Sequence, residues 1–138
     1  MNSNMPVSEF AKLLPDLLKD GKTVSFCPKG KSMLPTIKEG DKVVLKAFDK
    51  PSKYDILFFI TDDGKAILHR LVKIQKDGSY VMQGDSQAVK EIGITDKNIV
   101  ARVIYIIKNK RKIKTTGLIF RIKSFVILNL KYIKRRFL

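Results

Sequence analysis

Lys29-Gly30-Lys31-Ser32-Met33-Leu34-Pro35-Thr36-Ile37, closed by Gly40-Asp41, is the stretch of this 138-residue chain that decides its fold. It lies between two segments of strand composition, Thr23–Cys27 and Lys42–Phe48, and glycine and proline punctuate it. That chemistry predicts a turn between strands with Ser32 in it. Gly30 lets backbone approach closely, and Pro35 stiffens the chain that follows.

Working outward, Asp55–Thr61, Ala66–Gln75, Ser79–Gln83 and Asn98–Lys108 are further runs rich in Val, Ile, Phe and Tyr. Pro51-Ser52, Asp62-Asp63-Gly64 and Asp77-Gly78 separate them, and the two Asp-Gly pairs are hairpin signals. The expected fold is mainly β, a small coiled or barrel-like antiparallel sheet. Before it, residues 7–19 predict a short amphipathic helix with Ser8 as N-cap and Gly21 as its stop. Phe10, Leu13, Leu14, Leu17 and Leu18 would form its apolar stripe, and Pro15 would split or kink it. From Ile113 the apolar spacing becomes helical, through Leu118, Ile119, Ile122, Phe125, Val126 and Ile133. Lys114, Arg121, Lys123, Lys131, Lys134, Arg135 and Arg136 are interleaved. Residues 1–108 are therefore expected to form one domain and residues 109–138 a basic amphipathic tail.

The length fits one domain, and the 44% hydrophobic fraction fits a globular core. The net charge of +15 is uneven: residues 108–138 hold 11 basic and no acidic side chains, against 17 basic and 13 acidic in residues 1–107. That distribution argues against a nucleic-acid-binding core and for a basic appendage. A helix lying on an anionic membrane surface through residues 113–138 fits the composition, and docking on the domain or a partner is the alternative. Neither a secretory leader nor a transmembrane run is expected, which suggests a peripheral membrane or cytoplasmic protein. One cysteine, Cys27, precludes an internal disulfide and reads as a strand-packing residue. Without a Cys/His cluster, no metal or other cofactor is expected.

The remaining polar residues suggest chemistry. A serine hydroxyl is a weak nucleophile until a base takes its proton and donors stabilise the oxyanion. Ser32 is better placed than Ser25 or Ser52, which sit in ordinary strand or turn contexts. His69, the only histidine, follows in Leu68-His69-Arg70, and an imidazole titrates where a general base is needed. A lone strand histidine is also a common structural residue. Asp85, after Gly84, could fix the ring's tautomer, or Gly84-Asp85 could simply be a turn.

In order, Gly-x-Ser-Met-x-Pro-Thr, Gly40-Asp41, Asp55-Ile56, His69-Arg70 and Gly84-Asp85 resemble the signal peptidase I family and its relatives, the self-cleaving repressor domains. The match runs from about Phe26 to Asp85 and more loosely to Lys108. The resemblance implies Ser32 as nucleophile. His69-Arg70 stands where bacterial members carry a lysine base, as in the archaeal and endoplasmic-reticulum type, so His69 is the implied base and Arg70 its companion. Gly84-Asp85 resembles the motif that supplies the third group. That branch usually continues Gly-Asp-Asn-Asn with a further acid; here Ser86-Gln87 follow, and Glu91 stands where the second acid would fall. Gly30 occupies the place of a helper serine, so only backbone donors are left for the oxyanion, and Gly30, Met33 and Pro35 are the implied oxyanion- and substrate-positioning residues. The N-terminal anchor and extra β domain of typical members are not seen. The expected function is a serine endopeptidase acting on a peptide or protein; a decayed peptide-binding module on the same fold is the alternative.

Overall fold

The computed structural model describes residues 6–137, with side chains through residue 130. Residues 1–5 of the expected leaderless N-terminus lie outside the described residues, as do the side chains of Lys131, Ile133, Lys134, Arg135 and Arg136. The chain begins with α1 (Val7–Leu17) and a 3-10 turn at Lys19–Gly21. The strands β1 (Thr23–Phe26), β2 (Lys42–Lys46), β3 (Ile56–Ile60) and β4 (Ala66–Ile74) come next. They are followed by β5 (Tyr80–Gln83), β6 (Lys90–Ile94), β7 (Ile99–Lys108) and β8 (Arg111–Lys114), and α2 (Leu118–Phe137) closes the order.

All eight strands join one antiparallel sheet in the order β1-β2-β7-β3-β4-β5-β6, with β8 paired to β7. Among the described residues the fold is mainly β, with two α-helices. α1 starts at Val7 after Pro6, and no side chain caps it, so the Ser8 cap expected from the sequence does not form. Phe10, Ala11, Leu14 and Leu18 are buried while Leu13 and Leu17 stay about half exposed, so the stripe that packs is narrower than the apolar set. Pro15 stands within the helix. Positive φ at Asp20 and Gly21 ends the helical segment.

β3 explains how one sheet supports two cores. Ile56, Leu57, Phe58 and Phe59 are all buried, because alternate side chains enter different clusters on its two faces. Ile56 and Phe58 join Phe10, Met33, Ile37, Val103 and Phe120. Leu57 and Phe59 join Leu71, Tyr80, Met82 and Ile94. Phe10, Phe26 and Phe58 meet in tilted and edge-to-face contacts at 5.2 to 6.2 Å between centroids, a favoured aromatic geometry.

Cys27 falls just beyond β1 and is exposed, so it does not pack as expected. β8 belongs to the sheet, joined to β7 through Asn109 and Lys110, both at positive φ. Two such residues make the primed turn that suits a tight hairpin. Among the described residues no helix is long and apolar enough to cross a membrane.

Candidate active site

The Gly30–Thr36 segment is an irregular turn anchored from below by Met33 and Ile37, both 4% exposed. Ile37 N–H donates to the Met33 carbonyl at 2.9 Å, and the Leu34–Pro35 bond is cis. Gly30 adopts φ +97°, a region that side chains rarely enter. The apolar positions of the motif are thus the foundation, and Ser32 sits above them, half-buried at the rim of a cleft.

That cleft, about 420 Å³, is lined by Pro28, Lys29, Gly30 and Ser32 of the turn, by Ala66–His69 of β4, and by Gln87 and Glu91. Four consecutive residues of β4 line it, so it exposes a strand edge rather than one face. The pairing explains this. β4 meets β3 from Ala66 to Arg70, but β5 begins only opposite Arg70. Residues 66–69 therefore have an open edge beside the Ser32 turn.

Alternation along β4 sends His69 and Arg70 to opposite sides. His69 is 6% exposed, edge-on to Phe59 at 6.3 Å, and its Nδ1 is hydrogen-bonded to Glu91 Oε1. Arg70 is fully buried. It donates to both oxygens of Asp85 at 2.8 and 2.7 Å, to the Tyr54 carbonyl at 3.1 Å, and to Ser124 Oγ. Thr36 Oγ1 donates to Asp85 Oδ2 at 2.5 Å. The buried charge of Asp85 is paired and hydrogen-bonded, the condition under which burial is tolerated.

Asp85, expected to orient His69, thus has its carboxylate engaged by Arg70 and Thr36, and the acid on the His69 ring is Glu91. The physical reason is position: Asp85 follows the end of β5, on the side of the sheet where Arg70 lies. Glu91 lies on β6, in the stretch that pairs with Met82 and Gln83.

The turn after β5 ties these parts to the Ser32 segment. Ser86 N–H donates to the Ser32 carbonyl at 3.0 Å, and Ser86 Oγ donates to the Lys31 carbonyl at 2.7 Å. A Cβ placed on Gly84 would lie 2.6 Å from the Ser32 carbonyl oxygen, 3.0 Å from His69 Nε2 and 3.1 Å from Gln87 Oε1. Glycine is what allows these three groups to crowd one point. Sequence alone assigns no site role to Thr36, Ser86 or Gln87. Thr36 was visible within the opening motif, whereas Ser86 and Gln87 stood only as a departure from a pattern. Pro35 is exposed and outside the cleft lining, while Gly30 and Met33 are part of it. No direct hydrogen bond joins Ser32 Oγ to His69, a bond that commonly tightens only around bound substrate. No group of metal ligands is present among the described residues.

The structure is an antiparallel β domain with a serine on a turn beside a strand edge, and its family match makes it a serine-peptidase-type fold. Residues 4–104 match the Peptidase S24-like family, and the chain belongs to it. The match takes in Ser32, His69, Asp85 and Glu91 and ends before α2. No curated protein matches the chain.

Proposed function

We propose that this protein is a serine endopeptidase in which Ser32 is the nucleophile, His69 the general base and Glu91 the residue that orients the base. The observation that carries the reading is the His69 Nδ1–Glu91 hydrogen bond. It commits one ring nitrogen to a carboxylate and leaves Nε2 as the acceptor near the Ser32 segment, the tautomer a Ser–His mechanism needs. The chemistry is of the signal-peptidase type with histidine in place of lysine.

An extended peptide adds as a strand to the open edge of residues 66–69, its side chain at the cut resting against Met33 and Ile37. This shallow apolar floor suits a small residue. Ser32 Oγ bonds to the scissile carbonyl carbon as its proton passes to His69 Nε2. The oxyanion is met by backbone N–H groups of the Ser32 turn, since Gly30 brings no hydroxyl. The C–N bond then breaks, and the leaving amine takes the proton from His69. Water repeats the sequence on the acyl-enzyme, releasing the acid and restoring Ser32. Glu91 accepts the Nδ1 proton's hydrogen bond throughout and stabilises the imidazolium.

The test is incubation with a mixed peptide library and mass analysis of products. Wild type is expected to cleave at defined sites, and Ser32→Ala and His69→Ala to lose about 10⁴-fold or more in rate while keeping the fold. The missing Ser32–His69 hydrogen bond and the helper serine replaced by Gly30 favour a second reading, a peptide-binding module without turnover. That reading predicts peptide binding of equal strength before and after Ser32→Ala, with no product from either.

A further inference from the structure

α2 has two faces with opposite fates. Phe120 and Ser124 are 8% and 1% exposed. The Phe120 ring lies 5.2 Å from the Arg70 guanidinium, which also donates to Ser124 Oγ. The helix is therefore held at a defined rotation. Turned away from that contact are Leu118, Ile119, Ile122, Phe125, Val126 and Leu130, between 47% and 74% exposed. At 100° per residue they form one continuous stripe, wide enough that docking on the domain leaves it uncovered.

Its surroundings specify what would cover it. Residues 108–138 carry 11 basic and no acidic residues. Lys123 borders the stripe, and Lys110, Arg111, Lys112 and Lys114 are exposed on the hairpin before it. A second copy would bring the same cations against these, which opposes pairing. A nucleic acid would answer the charge but leave the apolar side chains in water. An apolar stripe bordered by lysine and arginine, on a helix unable to span a bilayer, matches an anionic lipid interface.

We propose that α2 lies in the interface of an anionic bilayer, its outer stripe among the acyl chains and its inner face fastened to the domain by Arg70. The same guanidinium holds Asp85, next to Gly84 at the cleft, so the helix fixes how the cleft faces the membrane. Lipid binding requires no turnover, and it stands or falls separately from the peptidase reading.

The experiment is co-sedimentation of the full chain with vesicles of phosphatidylcholine alone or with one-third phosphatidylglycerol, at low and high salt. Binding is expected on the anionic vesicles and is weakened by salt. The double substitution Ile122→Ser, Phe125→Ser should lower it at least ~10-fold, while Lys110→Gln, Arg111→Gln should reduce mainly the salt-sensitive part. Both pairs are exposed, so unchanged circular dichroism would exclude misfolding as the cause. Ser32→Ala should bind vesicles like wild type. Three results would overturn the proposal: equal binding by the Ile122/Phe125 variant; a dimer in gel filtration that the same variant disperses, with no vesicle binding; or tight salt-dependent binding to a DNA or RNA oligomer without vesicle binding.

Discussion

The His69 ring and the Arg70 guanidinium leave β4 on opposite sides, and each takes one acid. Glu91 holds the ring, and Asp85 holds the guanidinium with both oxygens. Their substitutions should therefore fail in different ways. Glu91→Gln is expected to lower kcat by about 10²-fold or more with little change in KM or melting temperature, because the amide cannot stabilise the imidazolium. Asp85→Asn leaves a buried guanidinium short of charge and is expected to cost about 3–5 kcal/mol of stability, read by urea unfolding. A kcat defect without destabilisation in Asp85→Asn would reverse these assignments. Gly84→Ala should abolish activity while the chain still folds, since its methyl would meet the Ser32 carbonyl at 2.6 Å and His69 Nε2 at 3.0 Å; unaltered peptide cleavage would contradict that crowding.

Among the elements, β3 carries the two-sided core, and Phe58→Ala is expected to cost about 3–5 kcal/mol by chemical unfolding. Asp41, at the end of the serine-bearing segment, fastens that segment to the long central strand. It accepts from Lys38 N–H at 2.8 Å and pairs with Lys108 on β7. Burial pushes its carboxyl up, but Lys108 and the Lys38 N–H together hold it below its ordinary value. A lowered folded-state pKa means that the stabilisation is full above pH about 4 and disappears as pH falls through the lowered value. Asp41→Asn should thus be about 1 kcal/mol less stable than wild type near pH 6, with the gap closing as pH falls through the lowered value. The strands read from the sequence were those with Val, Ile and Phe runs closed by Asp-Gly or Pro-Ser turns. β6 and β8 escaped that reading for local reasons. β6 is Lys90-Glu91-Ile92-Gly93-Ile94, with Gly93 at positive φ, Ile92 exposed and an irregular register to β5. β8 is mostly Lys and Arg at a sheet edge, where charge suits an exposed strand but hides its periodicity.

For the molecule as a whole, the sheet brings together a turn near residue 32, a strand near 69 and a turn and strand between 84 and 91. The serine, the histidine and the Gly-Asp pair were legible because special residues mark them. Which acid faces the ring was not legible, because it depends on the β4–β5–β6 register, and a bulge in that register moves a side chain across the sheet. The fate of α2 was equally hidden: its apolar positions say that it is amphipathic, but only Arg70, Phe120 and Ser124 decide which face the domain claims. Covalent chemistry at Ser32 is read out by intact-mass analysis of protein quenched in acid during turnover of a cleaved peptide. An adduct equal to the acyl part of the peptide is predicted on Ser32, absent in Ser32→Ala and strongly reduced in His69→Ala. The same adduct persisting in Ser32→Ala, or product forming with no dependence on Ser32, would contradict it.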